Sequence, residues 1–364
     1  MRFHIHRDVL LDGLLKTVPV AEKKSTLPIL SHLLLAASDS VLSITATDLE
    51  VGIQAKFDCD VQDPGSSTVP SRKFLEIVRE LPPVPVAVEL QETGRVRVIA
   101  GESAFELAGM DPGDYPVWSA LEHVQRTTVP AEKLTKMIEK TLFAASTDDS
   151  RYNFNSVLFE QVDNNTVLVA TDGHRLAKIE DEVGLQLDAR VLVPKKSLTD
   201  VKRVLDDVKD EVSLGFEPKN MVVGAKNVTM TVRLVDGDYP DYNKVIPKTA
   251  EMVVKADRGR VIQTIKRVAV LTSERNKGIF VTFSPGKLEM TATHPDLGTA
   301  KDSVEVEYDG TQFEVIFNAA YFLESLGAID TDSVVLEYRS AGGPLIVCPE
   351  PKGNYFNLVM PMRK

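Results

Sequence analysis

Cysteine is scarce. Cys59 and Cys348 are the two in 364 residues, and they stand far apart in the chain. Two such residues make neither a disulfide framework nor a cysteine metal site, and they fit a reducing cytoplasm. Long apolar runs are also missing. The run 33–37 is among the longest, far short of the roughly 20 residues that a spanning helix needs, so no membrane partner is expected. Residues 1–11 carry Arg2, His4, His6, Arg7 and Asp8, which is incompatible with the apolar centre of a secretory signal. No phosphate-cradling glycine loop occurs, so ATP use is not expected. His4 and His6 share one face of a strand but have no third ligand, so neither a metal nor a cofactor is expected. Positive charge is in deficit, 42 Lys and Arg against 53 Asp and Glu, for a net charge of −11. That balance argues against a nucleic-acid partner unless the positive residues are concentrated somewhere.

What the chain has in abundance is repetition. Ala170-Thr171-Asp172 closes an apolar run, and so do Ala46-Thr47-Asp48, 124 residues earlier, and Ala292-Thr293-His294, 122 residues later. Gly113-Asp114-Tyr115-Pro116 recurs as Gly237-Asp238-Tyr239-Pro240, again at an interval of 124. A period of that size is too long for a solenoid unit and suits a whole domain. The boundaries fall near residues 122 and 249, giving domains 1–122, 123–249 and 250–364.

Each copy reads as strand, helix, three strands, then the same again. Apolar stripes at helical spacing predict helices over 7–16, 71–80, 130–142, 194–206, 256–268 and 318–330. Gly65, Ser66 and Ser67 read as a loop. Two helices and about eight strands per copy make an α+β domain, with both helices on one face of antiparallel sheets. The six helical segments hold 16 Lys and Arg against 11 Asp and Glu, which leaves −16 on everything else. Lys133, Lys136 and Lys140 share a face, as do Lys195 with Lys202, Lys196 with Arg203, Arg72 with Arg79, and Arg260 with Arg267. On one helix such a face is ordinary solvated surface. Shared by five of six helices, it describes a positive lining behind an acidic body, able to attract phosphates without reading bases.

Thr26-Leu27-Pro28-Ile29-Leu30, Ala46-Thr47-Asp48-Leu49-Glu50, residues 170–177, Tyr239-Pro240-Asp241-Tyr242 and the tail Val359-Met360-Pro361-Met362-Arg363 together resemble the bacterial DNA polymerase III β subunits, the sliding clamps. The resemblance runs through all three copies in order. It implies three tandem clamp domains per subunit and a ring-shaped, head-to-tail homodimer. Helices would line the hole, and double-stranded DNA would be threaded through it irrespective of sequence. The implied role is non-catalytic: the ring tethers the replicative polymerase for processive synthesis.

The resemblance also implies a hydrophobic pocket between the second and third domains. There the polymerase α subunit, the clamp loader, translesion polymerases, ligase and mismatch-repair proteins would dock through short linear motifs. The matching positions are Phe154, Thr171, Gly173, His174, Arg175, Leu176, Pro240, Val245, Asn318, Tyr321, Val359, Met360, Pro361, Met362 and Arg363. Thioether side chains suit a pocket that accepts several ligands. Asn276 stands where the family often has a bulkier apolar residue, and Lys364 replaces a commonly apolar last residue. For ring closure the resemblance points to Phe105 and Leu107 meeting Val270 and Leu271 of a second subunit. For DNA, Lys24, Arg72, Tyr152, Lys195, Lys196 and Arg203 are the candidates. Two other readings compete: an enzyme centred on Asp172, His174 and Arg175, and a monomeric protein-binding scaffold. Adjacency of Asp and His in sequence is no evidence for a triad, which geometry alone defines.

Overall fold

The computed structural model describes residues 1–21, 26–247, 249–273, 277–339 and 342–363. Lys24, Asn276 and Lys364 lie outside the described residues. In the first copy, β1 (Arg2–His6) runs directly into α1 (Arg7–Thr17), followed by β2 (His32–Ser38), β3 (Val41–Thr47), β4 (Val51–Asp58), β5 (Asp60–Asp63), β6 (Gly65–Pro70), α2 (Ser71–Glu80), β7 (Pro85–Leu90), β8 (Arg95–Ala100) and β9 (Ser103–Ala108). The second has β10 (Arg126–Pro130), α3 (Ala131–Leu142), β11 (Ser156–Val162), β12 (Asn165–Thr171), β13 (Arg175–Asp181), β14 (Val191–Pro194), α4 (Lys195–Leu205), β15 (Glu211–Phe216), β16 (Asn220–Ala225) and β17 (Val228–Arg233). The third has β18 (Met252–Asp257), α5 (Arg258–Ala269), β19 (Gly278–Ser284), β20 (Lys287–His294), β21 (Gly298–Glu305), β22 (Phe313–Asn318), α6 (Ala319–Gly327), β23 (Ser333–Tyr338), β24 (Leu345–Pro349) and β25 (Tyr355–Val359).

The repeated order expected from sequence is therefore present, with β5 as an insertion in the first copy. One expectation fails locally: Gly65, Ser66 and Ser67 are the start of β6, not a loop. They pair with Ala37, Ala36 and Leu35 of β2, and the ladder overrides their weak strand preference. The helix ends move for identifiable reasons. Asp257 precedes α5 as its cap, its Oδ1 accepting from the Arg260 N–H at 2.7 Å. Asn318 does the same for α6. Capping oxygens sit just outside the helix they start. With these bounds the helices hold 16 Lys and Arg against 8 Asp and Glu, so the basic bias is steeper than the sequence segments suggested.

The chain packs as two compact units, residues 1–135 with 196–234, and residues 136–195 with 235–364. Each contains a sheet that joins two copies. In the first unit the order is β10-β15-β16-β17-β4-β3-β2-β6, and in the second β14-β11-β12-β13-β25-β24-β23-β18. The joints are alike. β17 lies antiparallel on β4, with Met230 opposite Ile53 and Val232 opposite Val51. β25 lies antiparallel on β13, with Asn357 opposite Ala177 and Val359 opposite Arg175. β12, next to the joint strand β13, is buried on both faces, and Val167, Leu168, Val169 and Ala170 are all inaccessible. The other two sheets end openly: β5-β1-β7-β8-β9 in the first unit and β21-β20-β19-β22 in the second.

Candidate functional site

The organising turn lies between β12 and β13. Asp172 Oδ1 accepts from the His174 and Arg175 N–H groups at 2.9 and 3.1 Å, and Oδ2 accepts from Arg175 Nε at 3.1 Å. The Thr171 hydroxyl donates to the Arg175 carbonyl at 2.6 Å and accepts from the Gly173 N–H at 3.1 Å. Gly173 sits at φ +91°, the left-handed region that a glycine enters without strain. From beneath, the Tyr239 hydroxyl accepts the Thr171 N–H at 2.9 Å, and burial pushes the phenol's pKa well up. The Asp172 carboxylate is thus occupied in shaping the backbone: it bonds the His174 N–H, and among the described residues no hydrogen bond joins it to the His174 ring, as the enzyme reading would require.

The first copy builds the same turn from different residues. The Thr47 hydroxyl donates to the Val51 carbonyl at 2.8 Å, and Asp48 Oδ1 accepts from Glu50 and Val51 at 3.1 and 2.7 Å. Leu49 takes the glycine's place at φ +73°. What differs is the floor. A Cβ on Gly52 would lie 1.9 Å from the Trp118 indole, so the absence of a side chain there is what lets the indole close against the backbone, on the wall of a cleft of about 400 Å³. In the second copy Leu176 takes the place of Gly52, and the result is an apolar cavity of about 210 Å³.

That cavity is lined by Phe154, Thr171, Gly173, Arg175, Leu176, Pro240 and Val245, with Met360 on the last stretch of chain. All eight are among the expected residues. Asp241, Tyr242 and Leu358 also line it and were missed. A signal for Leu358 existed: it stands two residues before Met360 on an alternating strand. Val359, opposite Arg175, is wholly buried and is not among the residues that line the cavity. Tyr242 was visible in the Tyr239–Tyr242 phrase. Its hydroxyl donates to buried Glu160, which is in turn paired with Arg190, and desolvation first, then Glu160, raises the phenol's pKa.

The remaining expected residues form a second cluster at the cavity's α6 side. The His174 ring stacks with Tyr321, 6.2 Å between centroids and 16° between planes. The Arg175 guanidinium lies 4.5 Å from the centre of the same Tyr321 ring and is paired with Glu324. Asn318 starts α6 as its cap. The tail is tied by the Met360 N–H to the His174 carbonyl and the Met362 N–H to the Ile316 carbonyl, both 2.8 Å. That leaves Met362 37% exposed and Arg363 on the surface. Pro361 lies between these two anchors and outside the cavity lining.

The candidate DNA residues divide. Arg72 is exposed in the first turn of α2, and Tyr152 is 58% exposed. Lys196 pairs with Asp48, and Arg203 Nη1 with Asp200 at 2.6 Å. The Lys195 Nζ donates to the Ala145 carbonyl at 2.6 Å, and desolvation followed by the nearby Arg175 charge lowers its pKa. Of the dimer candidates, Phe105 and Leu107 lie on the edge strand β9, and Val270 is 76% exposed just after α5. His4 and His6 have partners of their own, Gln62 and Asp60 for one and the Asp8 N–H for the other. No helix among the described residues is long and apolar enough to cross a membrane.

Three copies of one two-helix domain, joined edge to edge, define a clamp-type architecture. Residues 1–119, 128–241 and 243–363 match, in order, the N-terminal, central and C-terminal domains of the DNA polymerase III beta subunit. The beta sliding clamp of Pseudomonas aeruginosa is 33% identical over the full length of both chains, and that of Escherichia coli K12 is 32% identical, also over both full lengths. A crystal structure of the Pseudomonas aeruginosa DNA polymerase III subunit beta superposes with a TM-score of 0.95 at 33% identity, covering all of both chains. The chain belongs to the DNA polymerase III β-subunit family, the sliding clamps, which are non-catalytic processivity subunits.

Proposed function

We propose that two copies of this chain close head to tail into a ring around duplex DNA, and that the ring tethers the replicative polymerase while it slides in the cytoplasm. The observation that carries this reading is the pair of unpaired edges. β17 and β25 close the two joints within the chain by pairing with β4 and β13. The corresponding strands left over are β9, last of the first copy, and β21, third after α5 in the last copy, and both are edge strands. An exposed edge is a template for pairing with another chain. A heterologous contact repeated between two subunits closes a ring when the rotation allows it. Carrying over the register of β17 on β4 puts Phe105 opposite Ala300 of the partner subunit, a small residue that leaves room for the aromatic ring. The domains of the ring would be 1–122, 123–249 and 250–364.

Enclosure removes the need for a tight grip. Contacts to phosphate from Arg72, Tyr152, Lys196 and Arg203 would be weak and insensitive to sequence, which is what sliding needs. A polymerase held to the ring stays near the primer end at high effective concentration. The cavity at Leu176, Pro240, Val245 and Met360 would receive short motifs of the polymerase α subunit, the clamp loader and repair proteins, with His174 and Tyr321 extending the groove. Light scattering tests the ring directly. A particle of twice the 40.1 kDa chain mass is expected, and a stable monomer at micromolar concentration would refute it.

A further inference from the structure

Lys140 is a buried lysine with an unusual task. It is the tenth residue of α3, and its Nζ donates to the Ala328 carbonyl and to Asp330 Oδ1, both at 2.5 Å. It also lies 5.4 Å from the centre of the Tyr355 ring, with a side chain 9% exposed. Ala328 is the cap residue at the end of α6. A helix C-terminus presents unpaired carbonyls and the negative end of the helix dipole, and a cation there supplies what it lacks. So the first helix of the second copy caps the second helix of the third copy.

In each copy a strand runs without a break into the first helix, at His6/Arg7, Pro130/Ala131 and Asp257/Arg258. The helices can therefore be aligned by position. The tenth residues are Lys16, Lys140 and Arg267, all cations; Lys140 is the one that caps a helix of the next copy, whereas Lys16 is paired with Asp12 of its own helix at 2.8 Å. Arg267 belongs to the third of the three copies. Its Nε donates to Asp302 at 2.5 Å and its Nη2 to Thr264 Oγ1 at 3.2 Å. It is 60% exposed, on the wall of an open cavity of about 900 Å³ shared by α5 and β21. The same alignment of second helices, which begin directly after β6, β14 and β22, equates Ala328 with Glu80 at the end of α2.

We propose that Arg267 caps the C-terminal end of α2 in the partner subunit, exchanging its bond to Asp302 for the carbonyls around Glu80 of the partner subunit. The inference rests on the head-to-tail dimer and adds a named residue to its junction. The choice of arginine fits the chemistry of the target. Lys140 has both a carbonyl and the Asp330 carboxylate to bind, whereas α2 has Pro82 at the position of Asp330. With the carboxylate missing there, the acceptors are chiefly carbonyls, and a guanidinium with five donors in a fixed fork reaches several at once. In the separated subunit Asp302 keeps Arg267 folded back on β21, so the pair acts as a latch between closed and open junctions.

Sedimentation equilibrium on the full-length protein tests this. The wild type is measured first; if it does not dimerise, the ring reading fails and the cap is not in question. Given a dimer, Arg267→Ala should raise the dimer dissociation constant by about tenfold or more, and Arg267→Lys should raise it by less. Lys266→Ala, an equal loss of charge one position round the helix, should leave it unchanged. Asp302→Asn should leave the dimer as tight or tighter. An unchanged constant for Arg267→Ala would overturn the proposal. So would an Asp302→Asn defect as large as that of Arg267→Ala, because the intrasubunit pair would then be what stabilises the junction.

Discussion

Residue by residue, the two equivalent turns show how one backbone shape is reached with different side chains. Gly173 at φ +91° carries no strain, whereas Leu49 at φ +73° holds a conformation that costs an L-residue roughly 1–2 kcal/mol. Gly173→Ala should therefore destabilise the protein by about 1 kcal/mol, read as a lowered urea midpoint with unchanged slope. Leu49→Gly should cost little despite the loss of a large side chain, because the relieved strain offsets it. His174 contributes a stacked ring rather than a proton relay. Truncating it to alanine removes a contact worth roughly 0.5–1.5 kcal/mol. Calorimetric titration with a polymerase-derived peptide should show a loss of about two- to tenfold in affinity, together with a small drop in melting temperature from the lost stacking contact. If peptide affinity is unaffected, the α6 side of the cavity is not part of the docking groove.

At the level of elements, helix ends and sheet joints hold the copies to one another. Lys140 is the clearest case, because replacing it with methionine takes the lysine donor from the partly buried Ala328 carbonyl at the end of α6. The expected cost is about 1–3 kcal/mol, seen as a lower melting temperature. The same bond sets a pH dependence. Asp330 has its pKa lowered below the ordinary 3.8, chiefly by the hydrogen bond from Lys140. A depressed carboxyl pKa contributes stability that is fully present above the unfolded-state value and is lost as pH falls through the folded-state value. The stability difference between wild type and Asp330→Asn should accordingly be greatest at neutral pH and vanish in acid. Equal differences at pH 7 and pH 2 would show that the pair contributes nothing through charge.

For the whole molecule the decisive features are the two open edges and the bias of charge towards the helices. Phe105→Arg places an unpaired charge at the centre of the proposed junction between β9 and β21. The expected result is a 40.1 kDa monomer with unaltered circular dichroism. A closed ring on circular DNA should remain through high salt, which weakens phosphate contacts steeply, and should leave when the circle is cut. Loss at high salt with the circle intact would mean that the protein holds DNA by contact and not by enclosure.

The threefold repeat, the six helices and the basic bias of those helices could be read from the chain, because each is a local pattern: periodic apolar residues, a recurring turn phrase, a count of charges. The turn itself could be read too, since Thr, Asp and Gly at fixed spacing bond their own backbone. What sequence could not contain was the sharing of sheets between copies, for which strand partners more than a hundred residues away must be known, as with β17 on β4. Nor could it show that Lys195 bonds to Ala145 and is only half in solvent, that Trp118 forms a wall of the first copy's cleft while Leu176 lines an apolar cavity in the second, or that Leu358 and not Val359 lines that cavity. Those outcomes depend on which surfaces end up buried against which, and burial is a property of the folded arrangement, not of any stretch of residues taken alone.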